Sequence, residues 1–406
     1  MFAEGRPWLE RPKVKLGIDV LLESRRELLR GKRVGVITNP TGLTWDLRHM
    51  VDVFAEAEDI DLVALYGPEH GVRGAAQAGE AVETTVDAHT GLPVYSLFGR
   101  RERPTAEMVA GVDVLVFNIQ DVGARFYTYG STMSLCMEVA AAEGVEFVVL
   151  DRPNPITGEK IGGNVLDRAY SSFVGMWPIA VRHGLTLGEL ARMVNEEFGV
   201  GCELTVVEME GWERWMWFDQ TGLPYVLPSP NSPTLETATV YPGSCFFEGT
   251  NLAIGKGTTK PGELNGAPWI DGQAWAGELN ELKYPGVIFR AAYFTPWFGD
   301  YEGELCGGVQ THVMEREVFR AVETGLKMIE VVRLMYPEHF EWRRSEQYVW
   351  SGAGEGGKIS YWFDQLMGTD QVRKQMEAGV SVEEISAAWQ AELEAYDRMR
   401  GGYLLY

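Results

Sequence analysis

The stretch DVLVFNIQDVGARFYTYGSTMSLCMEVAAAEGVEFVVLD, Asp113–Asp151, passes from one apolar run through a helical pattern into a second apolar run. Runs as apolar as VLVF and FVVL leave no face for water, so each reads as a strand covered on both sides, with the segment between them as a crossover helix. The same grammar extends outward. RVGVIT, DLVALY and PVYSLF precede it, with helical patterns in DLRHMVDVFAEA and AEMVAG, and TLGELARMVNEEFG followed by CELTVVEM continues it. Strands and helices alternating in this way predict an α/β fold built on a doubly wound parallel sheet.

The pattern changes after the proline-rich segment LPYVLPSPNSP, residues 223–233. IFRAAYFTPWFGD and CGGVQTHVM alternate partly, as strands with one wet face do, and a long helix is expected around EVFRAVETGLKMIEVVRLM. YWFDQLMGTDQVRKQMEAG and SVEEISAAWQAELEAYDRM each read as one further helix, the second opened by Ser381 and Glu384 in capping-box spacing. A chain of 406 residues exceeds what one hydrophobic core usually serves. The reading is a large domain over residues 1–230 and a smaller α+β domain over 231–406.

Composition narrows the function. A net charge of −22 disfavours nucleic acid, whose binding needs clustered Lys and Arg to neutralise phosphates. No apolar stretch approaches the roughly 20 residues of a membrane helix, so no membrane insertion is expected. Nothing in the composition sets an oligomeric state. The four cysteines, Cys136, Cys202, Cys245 and Cys306, are far apart and read as buried thiols. The six histidines form no metal-ligand spacing, so no metal is expected. GTNLAIGKGTT is glycine-rich but has Gly257 after Lys256 where a P-loop needs Ser or Thr, and no G-x-G-x-x-G opens the first helix. The amino terminus, MFAEGRPWLERPKVKLGIDVLL, lacks a basic segment followed by an unbroken apolar one. That pattern implies a cytoplasmic protein, or an exported one if a leader has been removed.

In open α/β sheets ligands bind beyond the carboxyl ends of the strands. RVGVIT leads into Asn39 and Pro40, DLVALY into Gly67-Pro68-Glu69-His70-Gly71 with Arg73 close behind, DVLVFNI into Gln120, Asp121 and Arg125, and EFVVL into Asp151, Arg152 and Asn154. Turn-forming residues are common in any loop, but acids, amides and arginines at four strand ends together indicate an active site. Glu69 is the leading general acid or base, since a carboxyl shielded from water can donate a proton at neutral pH. His70 either orients it or bonds a substrate hydroxyl. GWERWMWF, with Trp212, Trp215 and Trp217, is expected to pack in a core or cover surface rather than to stack on a sugar.

YGPEHGVRG, FNIQDVGARFYTYGSTM, LDRPNPITG, PSPNSPTLETATVYPGSCFFEGTN, FDQLMGTDQVRKQMEAG and the closing YLLY resemble the NamZ family from about Gly31 to Tyr406. The resemblance implies an exo-β-N-acetylmuramidase, a glycoside hydrolase of peptidoglycan recycling that removes terminal β-1,4-linked N-acetylmuramic acid (MurNAc) from the non-reducing end without a cofactor. It further implies a Rossmann-like amino-terminal domain, with the site in the cleft between it and the smaller domain, and a catalytic role for Glu69. Its substrate would be a MurNAc-terminated disaccharide or peptidoglycan fragment. Within the shared motifs Asn118, Tyr127, Asn231 and Asn251 add polar groups suited to a sugar. The stretch AIGKGTTKPGE departs from the family pattern at Ile254, Lys256 and Gly262.

Glycosidic cleavage needs a proton for the leaving oxygen and stabilisation of an oxocarbenium-like centre. Glu69 fits the first need. Asp121, Glu248 or the substrate's own acetamido oxygen are the alternatives for the second. Arg73, Arg125 and Arg152 are the expected readers of the lactyl carboxylate, Arg73 foremost. The competing readings are a non-catalytic muropeptide- or sugar-binding protein and a hydrolase of another substrate on the same scaffold.

Overall fold

The computed structural model describes residues 10–74, 85–99, 101–345 and 360–406. The first nine residues of the leader reading therefore lie outside the described residues. Among the described residues no helix is long and apolar enough to cross a membrane.

The chain opens with helix α1 (Gly17–Ser24). The sheet then forms from β1 (Arg33–Thr38), β2 (Asp61–Gly67), β3 (Thr85–Val86), β4 (Pro93–Ser96), β5 (Val114–Asn118), β6 (Glu146–Leu150) and β9 (Leu204–Val207). Their order is β3-β4-β2-β1-β5-β6-β9, every pairing parallel except the short β3 on β4. Helices α2 (Met50–Ala55), α3 (Ala106–Val109), α4 (Tyr129–Glu143) and α5 (Leu187–Glu196) make the crossovers. This is the doubly wound α/β sheet expected from Asp113–Asp151.

Period two along the strands decides which core each side chain enters. Val34, Val36, Val114, Val116, Val148 and Leu150 point to one face and pack with Ile18 and Leu21 of α1 and Val51 and Phe54 of α2. Leu115, Phe117, Phe147 and Val149 point to the other, against Met133 and Met137 of α4 and Leu190 and Val194 of α5. A strand with buried positions on both faces must be apolar throughout, which is why these runs do not alternate. In β5 all five residues are buried.

An antiparallel pair, β7 (Gly162–Val165) and β8 (Ala180–Arg182), intervenes between β6 and α5. The second half contains α6 (Leu235–Ser244), β10 (Leu264–Ala267), α7 (Gly272–Glu281), β11 (Val287–Phe294), β12 (Cys306–Val313) and α8 (Ala321–Met335). Its sheet is antiparallel, β10-β12-β11. Helices α6 and α8 touch backbone to backbone, because a Cβ on Gly243 would lie 1.9 Å from the Ala321 carbonyl oxygen and one on Gly325 2.3 Å from that of Gly243.

Two long helices expected from the sequence are each divided. YWFDQLMGTDQVRKQMEAG breaks at Gly368 into α9 (Trp362–Met367) and α10 (Gln371–Glu377), the glycine taking φ of +67° as the left-handed cap. SVEEISAAWQAELEAYDRM divides into α11 (Val382–Ala387) and α12 (Gln390–Gly401). The second break lets Trp389 enter the core of the second half and Tyr396 that of the first. The Ser381–Glu384 capping box is present.

The halves are not independent. The apolar cluster of the second half takes in Val122, Ala124 and Phe126 from the loop after β5, together with Ile156, Val181 and Trp217. In the other direction the chain end returns to the first sheet, where the Tyr406 hydroxyl donates to Asp151 Oδ2 at 2.9 Å and accepts from the Met209 amide at 2.8 Å. This gives YLLY its purpose, and Trp212 packs edge-to-face on the Tyr406 ring. Trp212 and Trp217 are buried, as expected, while Trp215 is exposed. Tyr406→Phe strands the Met209 amide and removes one donor from a buried carboxylate. It should lower unfolding free energy by about 1–3 kcal/mol, read as a lower urea midpoint at unchanged slope.

Candidate active site

The loop after β2 is folded back on itself. The Gly71 amide donates to the Pro68 carbonyl at 2.9 Å, and the two residues between them are Glu69 and His70. His70 takes φ of +73° and Gly71 +74°. In a four-residue turn a positive φ at the third position normally selects glycine, so a buried histidine there is a locally strained choice of the kind found at functional sites. A Cβ on Gly67 would lie 3.0 Å from the Val72 amide nitrogen, so any larger residue would crowd this bend. The result places Glu69, half-buried, at the carboxyl end of β2.

A cavity of about 160 Å³ opens there, at the ends of β2 and β5, the strands on either side of β1. The first half supplies Glu69 and His70, with Phe126, Tyr127, Thr128 and Tyr129 from the turn into α4. The second half contributes Tyr241 of α6, Cys245 and Glu248 of the short 3-10 turn that extends it, Lys256 from the loop before β10, and Trp362 of α9. Ser229, Asn231 and Ser232 of the connecting segment complete the wall.

Two carboxylates therefore share one cleft. Thr128 Oγ1 lies 3.4 Å from Glu69 Oε2, and Lys256 Nζ lies 2.6 Å from Glu248 Oε1. Burial, then Tyr129, Tyr225 and the negative charges of Glu69 and Asp121, push the Tyr127 phenol far above its ordinary value. It therefore stays a neutral donor. Its hydroxyl faces the Tyr129 phenol, whereas Asn231 Nδ2 is a buried atom with no hydrogen-bond partner among the described residues, which is the expected state of a group that binds something else. Cys245 is buried, and burial raises its thiol well above the usual range.

Of the residues singled out from the sequence, Glu69, His70, Tyr127, Asn231 and Glu248 come together on this cavity. The others do not line it, and the structure gives each another partner. Arg73 makes a two-pronged ion pair with Asp52, at 2.7 and 3.0 Å, and a further one with Asp87 at 3.0 Å. Arg125 is buried and donates to four carbonyls, those of Asn164, Ile179, Leu366 and Met367. Arg152 is half-buried and donates to the Leu43 carbonyl, Asn118 Oδ1 and Gln120 Oε1. None of the three arginines expected to read a substrate carboxylate lines this cavity, and each guanidinium is bonded within the fold.

The remaining polar residues form a scaffold beneath the site. Asn39 Oδ1 accepts from the Thr41 amide, and Thr41 Oγ1 accepts from the Gln120 amide. Gln120 Nε2 donates to the Asp121 and Pro153 carbonyls. Asp121 Oδ2 accepts from the Gly123 amide and faces His183 Nε2 at 3.3 Å. Asn154 bridges the Leu185 carbonyl and the Ile156 amide. Asp151 accepts from Thr186, Gly188, Arg152 and Tyr406, yet burial holds its carboxyl up at about 7. Asn251 clamps the His339 carbonyl and the Glu341 amide. These bonds hold the strand-end loops in register, and Asn39 Nδ2 and Asn118 Nδ2 are buried with no hydrogen-bond partner among the described residues.

Thr128, Tyr129, Tyr241, Lys256 and Trp362 were not singled out for the site. Lys256 had a visible signal, lying between two glycines in the stretch that departs from the family pattern, and Ile254, Lys256 and Gly262 all line the cavity. Among the described residues no group of three or more His, Cys, Asp or Glu is placed to hold a metal ion.

Residues 34–236 match the family model described as exo-beta-N-acetylmuramidase NamZ, N-terminal, and residues 239–406 match its C-terminal counterpart. The chain is 49% identical over 397 residues to the peptidoglycan beta-N-acetylmuramidase NamZ of Bacillus subtilis, covering 98% of this chain and 92% of that protein. Two crystal structures of DUF1343 family proteins from Bacteroides fragilis share its fold. One has a TM-score of 0.87 at 39% identity over 98% of this chain and 100% of the other, the second 0.71 at 30% over 97% and 99%. The chain belongs to the NamZ family.

Proposed function

We propose that this protein is an exo-acting glycoside hydrolase that releases terminal β-1,4-linked MurNAc from the non-reducing end of peptidoglycan fragments. The observation that carries the reading is that Glu69 and Glu248 line one cleft, in a chain 49% identical along nearly its whole length to a peptidoglycan β-N-acetylmuramidase. Glu69 is the general acid that protonates the leaving oxygen. Its turn is closed by the bond from the Gly71 amide to the Pro68 carbonyl, which limits the freedom lost in orienting the acid. Glu248 is the second carboxylate, stabilising the oxocarbenium-like centre or serving as base or nucleophile. Asp121 is less suited to that role, being bonded to Gly123 and His183 away from the cavity. The neutral Tyr127 hydroxyl and the Asn231 amide supply donors for the sugar's hydroxyl and acetamido oxygens.

The test is turnover of a chromogenic β-muramide against the matching β-glucosaminide. The muramide should be cleaved much faster, with free MurNAc as the product from a MurNAc-terminated disaccharide. Equal or greater rates on the glucosaminide would eliminate muramic acid as the preferred sugar.

A further inference from the structure

We infer that Lys256 is the residue that reads the acidic substituent of the bound sugar, and so sets the preference for a lactyl-bearing ring over N-acetylglucosamine. The inference rests on the muramidase reading, since the lactyl group is what separates the two sugars. Among the described residues lining the cavity, Lys256 is the one lysine or arginine, while Glu69 and Glu248 both carry acid groups into it. An anionic ligand entering a protein of charge −22 needs a local cation at the point of contact. The three arginines near the strand ends end on Asp52 and Asp87, on backbone carbonyls, or on buried amides.

Local geometry holds Lys256 in place. It sits between Gly255, φ +71°, and Gly257, φ +75°. A Cβ on Gly255 would lie 2.6 Å from the Leu264 carbonyl oxygen, and one on Gly257 2.4 Å from that of Phe298. The Gly257 carbonyl accepts from the Trp297 amide at 2.9 Å, and Thr258 Oγ1 donates to the Gly255 carbonyl at 2.6 Å. The backbone under Lys256 is thus pinned from both sides while its side chain reaches the cavity with 28% exposure. An ammonium carries three N–H donors and can be shared between two carboxylates, so Glu248 orients the lysine and the sugar's carboxylate joins the pair.

The alternative role for Lys256 is to act on Glu248 alone, which would affect every sugar alike. Lys256→Met in the full-length protein separates the two. Loss of one charge-assisted bond should lower kcat/KM on the β-muramide by about 10- to 100-fold more than on the β-glucosaminide, mostly through KM, while the loss common to both sugars reads the broken Glu248 pair. Lys256→Arg should retain most of the muramide preference, which excludes misfolding as the cause. Calorimetric titration with free MurNAc and with N-acetylglucosamine reads the same discrimination without turnover. If wild type binds MurNAc in a Lys256-dependent way but cleaves no muramide, the hydrolase reading fails and the lysine's role stands. Equal losses on both sugars in Lys256→Met, or an unchanged affinity for MurNAc, would overturn the inference.

Discussion

Glu69→Gln is expected to lower kcat on a β-muramide with a poor leaving group by about 10²- to 10⁴-fold, the range supplied by general acid–base catalysis. The amide keeps the size and hydrogen-bonding reach of the acid but has no proton to give, so the turn from Pro68 to Gly71 and the cavity wall should persist. KM should change little, because the lost interaction develops in the transition state. A nitrophenolate leaving group needs less protonation, and with it the loss should shrink. This leaving-group dependence separates a failed acid from a distorted pocket, which would slow both substrates alike. Retention of more than half the wild-type kcat on the poor leaving group would remove Glu69 from the acid role.

The sheet and the placement of Glu69 at the cavity were legible for the same reason. Strands buried on both faces must be apolar without interruption, and the chain leaving such a strand must turn, so Gly67, Gly71 and Glu69 announce a loop with a functional group on it. The connecting segment and the turn into α4 were readable through Asn231 and Tyr127. The arginines were not. Whether a guanidinium meets a ligand or the protein depends on what the rest of the chain brings to it. Arg73 is taken by Asp52 and Asp87 from two other segments, and Arg125 by carbonyls as far away in sequence as Met367. Lys256 was hidden by the opposite effect. Its glycine-rich setting suggested a phosphate loop and failed that test, while its true neighbour, Glu248, becomes visible only when the loop before β10 folds onto the end of α6.

Arg125 provides the sharper test of this division between scaffold and site. Its Nη1 donates to the Asn164 and Ile179 carbonyls, beside the β7–β8 pair, and its Nη2 to Leu366 and Met367 at the end of α9. One side chain of the first half therefore holds the helix that brings Trp362 to the cavity. Burial pushes its pKa down to about 9, still high enough to keep the charge at neutral pH. Arg125→Met leaves buried carbonyls without donors, at about 1–3 kcal/mol for each that finds no substitute. Relief from burying a charge offsets part of this, so a net loss of about 2–4 kcal/mol of unfolding free energy is expected. That is a large share of the ~5–15 kcal/mol that holds a typical protein folded. Urea denaturation should show the midpoint falling, and activity on muramide and glucosaminide should decline by the same factor as α9 loosens. An arginine that bound the lactyl carboxylate would behave in the reverse manner, leaving stability nearly intact and depressing the muramide rate alone. That outcome would return Arg125 to the substrate and displace Lys256 as its reader.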